Sequence, residues 1–148
     1  VHSVDTSDDA LKLAHENCRA NGFAPEKHTA TCDDVFAFIR AAPLDYELII
    51  ADPPAFAKQK KDVVRACRGY KDINRVILTK MPARALLLTS SCSCHVDAQL
   101  FQTVVFQAAH EARRKVKIVG RHHLAYDHPV NIYHPESDYL KSLLLYVE

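Results

Sequence analysis

A chain of 148 residues, 48% apolar and 25% charged, has the length and composition of one globular domain able to bury a real core. It contains no run of about 18 apolar residues, which excludes a membrane-spanning helix. No charged-then-apolar opening resembles a secretion signal, although the chain starts at Val1 rather than Met. Five cysteines, Cys18, Cys32, Cys67, Cys92 and Cys94, follow no regular framework and favour free thiols in a reducing cytoplasm. The net charge of +1 hides a segregation. Residues 1–57 carry 10 acidic and 4 basic side chains, and residues 58–84 carry 9 basic and 2 acidic. Such a basic segment either attracts a polyanion such as RNA or forms a solvated helix face.

In chain order, Val1–Val4 is a short alternating run that ends at Asp5. Thr6 and Ser7 can cap a helix, Asp8 and Asp9 suit its positive end, and Leu11, Ala14 and Cys18 recur at helical spacing. Asn21-Gly22 stops it. A weak strand near His28–Thr31 precedes Asp33-Asp34, which open a helix carrying Val35, Phe36, Phe38 and Ile39 and closed by Pro43. Leu48–Ala51 reads as a buried parallel strand, cut off by Asp52 and two prolines. In open parallel sheets ligands gather beyond the carboxyl ends of strands, so Asp52 is either a site residue or a turn cap.

After a basic loop at 58–61, a helix from about Asp62 to Lys80 would share Val63, Ala66, Tyr70, Ile73 and Ile77 on one face. Ala85–Thr89 is a second buried strand, running into Ser90-Ser91-Cys92-Ser93-Cys94. Asp97 caps a long helix with Phe101, Val104, Val105, Ala108 and Ala112 in its stripe. Val116–Val119 and Leu143–Val147 read as strands, with a loop over 121–137 between them. The alternation predicts an α/β sandwich with a mostly parallel sheet, in a single domain over 1–148. No phosphate-cradling GxGxxG occurs among the three glycines. The close-set Cys92, Cys94 and His95 have no distant second pair, which argues against a metal.

VDTS at 4–7, DDVF at 33–36, DPPAF at 52–56 with RGYKDIN at 68–74, and SSCS at 90–93 together resemble the class I S-adenosylmethionine-dependent methyltransferases. Their order and wording are similar to the bacterial 23S ribosomal RNA cytosine-5 methyltransferases, as are DHPV at 127–130 and PESDYLK at 135–141. The resemblance implies a Rossmann-like three-layer fold with an antiparallel last strand, cytoplasmic location and S-adenosylmethionine as methyl donor. It implies a ribosomal RNA partner presenting a single-stranded or flipped cytosine, requires no membrane and allows a homodimer.

By the same resemblance, Asp5 and Ser7 belong to the donor site, Asp5 accepting the ribose hydroxyls. Asp33 or Asp34 meets the adenine, with a helix cap open for either, and Asp52 and Pro53 line the same cofactor site. Cys92 matches the nucleophile that adds to carbon 6 of cytosine, for which a lowered thiol pKa is expected. Asp52 would also hydrogen-bond the amino and ring-nitrogen edge of the base. Lys58, Lys60, Lys61, Arg65, Arg68 and Lys71 would hold phosphates. Phe56 or Tyr70 stacks on the base or packs in the core, and His128 reaches the site or braces its loop.

Two departures stand out. The family's glycine-rich first strand and loop, and its RNA-binding module, would precede Val1, so the stretch is expected to be N-terminally truncated and inactive alone. That first strand lies centrally in the family, between the strands ending at Asp5 and Asp52, so a gap in the sheet is expected. KMPARA at 80–85 also replaces a Pro-Gly-Gly turn, which must be built differently. Three rivals remain. An amino-group (N6-adenine or N4-cytosine) methyltransferase uses a DPP turn but follows it directly with an aromatic, and here Ala55 intervenes. A non-catalytic RNA-binding remnant fits half a cofactor pocket. A nicotinamide-dependent oxidoreductase explains Asp5 but neither DPP nor SCS.

Overall fold

The computed structural model describes residues 1–148, and its first unit, Val1–Ala42, is built on two parallel strands. β1 (His2–Asp5) pairs with β2 (Thr29–Cys32), placing Asp5 opposite Cys32. Parallel strands need a crossover, and α1 (Asp8–Ala20) supplies it. Ser7 caps α1 through Oγ, which accepts the Ala10 N–H at 3.2 Å. The far end closes at Gly22, whose φ of +75° lets Phe23 N–H reach back to the Cys18 carbonyl at 3.0 Å. Asp34 caps α2 (Val35–Ala41) by accepting the Ala37 N–H at 2.9 Å.

Beside β2, His28 is only 7% exposed. Its Nε2 shares a hydrogen bond with Ser3 Oγ at 2.9 Å, and its Nδ1 meets His15 Nδ1 at 3.1 Å. One ring nitrogen of that pair must accept, so the contact cannot hold two doubly protonated rings.

The second unit, Pro43–Glu148, contains a four-stranded sheet in the order β3-β4-β6-β5. β3 (Leu48–Ala51) and β4 (Ala85–Ser91) run parallel, joined by α3 (Val63–Lys80). After α4 (Ala98–Glu111), β5 (Val116–His122) pairs antiparallel with β6 (Lys141–Val147), which also pairs antiparallel with β4. The antiparallel last strand is therefore as expected. The strands ending at Asp5 and Asp52 belong to two different sheets.

α3 and α4 pack together, with Tyr70 edge-on to Phe101 at 5.5 Å and Ile73, Ile77, Val104, Val105 and Ala108 buried around them. Burying such side chains contributes roughly 1.5–3 kcal/mol each. β3 departs from its expected burial: Leu48 and Ile50, on one face, are 50% and 62% exposed, whereas Ile49 is half-buried and Ala51 buried on the other. A continuous apolar run does not say which face of a strand is left uncovered.

The turn from Met81 to Ala85 is built on Arg84, at a φ of +64°, whose N–H donates to the Val147 carbonyl at 2.7 Å. An L-residue in that region costs about 1–2 kcal/mol. Arg84 is exposed, so Arg84→Gly should keep the hydrogen bond and raise stability by up to about 1 kcal/mol, measured by urea unfolding. In the first unit, burial first and His15 second hold His28 below the ordinary imidazole value. The lowered folded value means that stability is full above the unfolded pKa and is lost as pH falls through the folded one. Amide exchange in β1 and β2 should accordingly quicken on acidification below about pH 6.5, and a His28→Gln variant should lose that dependence.

Candidate active site

Parallel pairing of β3 with β4 fixes the site. Ala51 stands opposite Thr89, so both strands deliver their carboxyl ends to the same edge, with Asp52 following one and Cys92 the other. β4 runs two residues beyond Thr89, ending at Ser91. Cys92 Sγ donates to the Pro53 carbonyl at 3.7 Å, a direct tie between the DPP turn and the SCS turn. Asp52 is exposed and Cys92 half-buried.

Ser93, completely buried, locks this arrangement. Its Oγ accepts the Ala57 N–H at 3.0 Å and shares a hydrogen bond with the Tyr70 hydroxyl at 2.9 Å. Its carbonyl accepts from Lys141 Nζ at 2.5 Å and from Val96 N–H at 3.1 Å. Asp97 then caps α4 by accepting the Leu100 N–H at 2.7 Å. One serine thus joins the DPPAF loop, α3, the SCS turn and β6. The flanking serines of SSCS were the available signal for Ser93; nothing in its spacing announced Lys141.

The electrostatics of Cys92 differ from expectation. Burial, chiefly, pushes its thiol up rather than down, and the Asp52 carboxylate adds to the rise. The Cys92 backbone N–H and the Lys141 ammonium pull the other way without prevailing. A half-buried thiol beside a carboxylate is harder to ionise, because the thiolate loses water and meets a like charge.

Tyr70 is 0% exposed, with its hydroxyl committed to Ser93, so it packs in the core and offers no face to a base. Phe56 lies 4.6 Å from Tyr70 and is only partly exposed. A Cβ at Gly69 would come within 3.1 Å of the Phe56 ring, so that glycine permits the close seat. Lys71 donates to Glu111 at 2.8 Å and Arg65 to Asp62 at 3.3 Å, so neither is an unpaired phosphate ligand. Lys58, Lys60, Lys61 and Arg68 are exposed and form no ion pair. His128 is exposed, pairs with Asp127 at 3.0 Å and has its N–H on the Ala125 carbonyl, a bracing role within its own loop.

In the first unit, Asp5 lies exposed at the end of β1, with Oδ1 accepting the Ser7 N–H at 2.8 Å and Oδ2 unengaged. Ser7 spends its hydroxyl on the helix cap. Asp33 Oδ1 accepts the Asp34 N–H at 2.7 Å, and Asp34 Oδ1 caps α2. Each of these three carboxylates keeps one oxygen for another donor. No cluster of three or more metal-ligating side chains occurs, and all five cysteines are free thiols.

Asp52→Asn removes the like charge beside Cys92, so the alkaline rise in the alkylation rate of Cys92 should move to lower pH. Peptide-resolved labelling with iodoacetamide checks the direction, with Cys18 in the same digest as reference.

No family model matches the chain. It is 40% identical over 151 residues to ribosomal RNA large subunit methyltransferase I of Photobacterium profundum, the match covering all of this chain and 38% of that protein. The chain thus spans less than two-fifths of that curated relative. Among solved structures, it superposes on a protein assigned as a methyltransferase and crystallised with SAH, with a TM-score of 0.81 and 25% identity over 97% of this chain and 38% of the other. A protein assigned as a SAM-dependent methyltransferase from Streptococcus mutans gives a TM-score of 0.76 and 26% identity, over 97% and 37%. The chain has the Rossmann-like α/β fold of the class I methyltransferases.

Proposed function

We propose that the chain is part of an S-adenosylmethionine-dependent ribosomal RNA methyltransferase, and that it forms 5-methylcytosine through a covalent adduct on Cys92. The observation that carries this is the pairing of Cys92 with the Asp52 turn at adjacent parallel strand ends, tied by the thiol on the Pro53 carbonyl. The ribosomal RNA methyltransferase named among the relatives supports the substrate class.

When bound, the donor supplies a methyl group made electrophilic by its sulfonium. Asp5 fits a ribose, having one free carboxylate oxygen at an exposed strand end, and Asp33 or Asp34 fits the adenine amino group in the same way. The Cys92 thiolate uses its electron pair to form a bond to carbon 6 of cytosine, and the displaced carbon 5–carbon 6 π pair makes carbon 5 nucleophilic. Asp52, exposed at the rim, accepts from the amino edge of the base and holds it against the thiol. Once carbon 5 carries the methyl group, its proton leaves to a base, the sulfur–carbon bond breaks and the thiolate departs. Lys58, Lys60, Lys61 and Arg68 supply phosphate contacts that position RNA without reading sequence. The interior seat of Tyr70 leaves base stacking to other groups, with Phe56 partly exposed beside it.

Tritium transfer from labelled donor to ribosomal RNA, followed by nucleoside digestion, tests the reading. Cys92→Ala in the whole protein should cost about 10³-fold or more, the scale seen when a covalent nucleophile is removed. RNA carrying 5-fluorocytosine should trap the wild type and not the variant. Undiminished turnover by Cys92→Ala would overturn the nucleophile, and label on an exocyclic nitrogen would favour the amino-group reading. Because the thiol is pushed up, the single-turnover rate should keep climbing above about pH 8.5.

A further inference from the structure

Among the Lys, Arg, Asp and Glu side chains, only that of Lys141 belongs to a buried residue, at 9% exposure. It opens β6, in register with Ser91, the residue before Cys92. Its Nζ donates to the Ser93 carbonyl at 2.5 Å and to the Tyr139 carbonyl at 2.9 Å, with no carboxylate in an ion pair. An ammonium has three protons to give, and two are accounted for.

Burying a charge is costly unless something answers it. The two carbonyls explain the hydrogen bonds but not the charge, because a neutral amide could donate to them without the cost of desolvating an ion. Burial, chiefly, pulls the Lys141 ammonium down, and negative groups nearby offset part of that penalty. The groups whose charges reach Lys141 are Cys92, Cys94 and Asp97 on the β4–α4 connection and Asp138 before β6. Asp52 faces the same thiol from the end of β3. Of these, only Cys92 is half-buried among the site residues and opposed by a carboxylate.

We propose that Lys141 is the positioning residue of Cys92, its ammonium acting as counter-charge to the thiolate while its hydrogen bond to Ser93 holds the SCS turn. This rests on the reading of Cys92 as nucleophile. The work is divided between the two contacts. The Ser93 carbonyl fixes where the turn lies, and the charge offsets part of the penalty that burial and Asp52 impose on the thiolate. Ser91 and Lys141 are cross-strand partners, so the geometry depends on sheet pairing and not on a loop.

Iodoacetamide labelling of Cys92, resolved by peptide mass spectrometry from neutral to alkaline pH, separates charge from scaffolding. Lys141→Met and Lys141→Gln should each slow labelling at neutral pH by about tenfold and shift the profile to higher pH, one pKa unit being a tenfold change in thiolate. Gln keeps a donor for the Ser93 carbonyl, so it reports on charge even where Met fails to fold. Lys141→Arg should restore the wild-type profile, and Cys18 should stay unchanged throughout. Methyl transfer by the Gln variant should fall about tenfold at neutral pH and recover as pH rises. A folded Gln variant with a wild-type labelling profile overturns the proposal. A shifted labelling profile in a protein whose Cys92→Ala variant still methylates overturns the nucleophile and leaves the Lys141–Cys92 pairing standing.

Discussion

The buried hydroxyl of Ser93 is the contact on which the second unit's site depends. A serine with no solvent access must satisfy its oxygen internally, and an unsatisfied one costs about 1–3 kcal/mol. Here Oγ is met from two sides, by the Ala57 N–H and the Tyr70 hydroxyl. Those partners lie 36 and 23 residues away in sequence, so one atom couples the loop after β3 to the helix that follows it and to the turn after β4. The Pro-Pro pair stiffens the first loop, the 18-residue α3 fixes Tyr70, and β4 fixes the serine itself. Three rigid elements therefore meet at one hydroxyl. The Pro53 carbonyl and the Cys92 thiol come together as a consequence.

Rigidity has an electrostatic cost. Drawing Cys92 into the turn removes water from its sulfur, and putting Asp52 at the neighbouring strand end sets a like charge beside the thiolate. The exposed carboxylate is screened by solvent and the half-buried thiol much less so, which is why burial leads the rise and Asp52 only adds to it. The basic segment is divided in a similar way. Arg65, Lys71 and Arg75 are drawn into ion pairs with Asp62, Glu111 and Asp72, whereas Lys58, Lys60, Lys61 and Arg68 keep their charge facing water. The helix-face reading fits Arg65, Lys71 and Arg75, and the unpaired Lys58, Lys60, Lys61 and Arg68 are the residues left to carry the proposed phosphate contacts.

Most element positions were legible because their signals are local. Ser7, Asp34 and Asp97 each cap the helix that their spacing announced, and Gly22 ends the one it was expected to end. α3 buries Ala66, Tyr70, Ile73 and Ile77 on the face that periodicity selected. What could not be read was anything that depends on a distant partner. Leu48 and Ile50 look as apolar as Leu87, yet Leu87, in register with Ile49, lies on the covered face of the sheet and they lie on the other. Tyr70 carries the same ring whether it stacks on a base or packs inside, and only its burial and its bond to Ser93 decide. Lys141 closes the PESDYLK stretch, and a lysine at the start of a strand is ordinarily exposed, so no local signal marks its burial.

The charges around Cys92 also constrain one another through the order in which they meet solvent. Asp52 is exposed, Cys92 is half-buried and Lys141 is buried, so the three run from rim to interior on adjacent strands β3, β4 and β6. A carboxylate at the rim can trade its water for a hydrogen bond to an incoming amino group, and its repulsion of the thiolate then weakens because its charge is partly answered. The Lys141 ammonium, drawn down by burial and held by two backbone carbonyls, has no such freedom. Reversing the order would give a buried carboxylate that always opposes the thiolate and an exposed lysine screened by salt. The observed order is the one in which thiolate formation becomes easier as the rim carboxylate finds a partner.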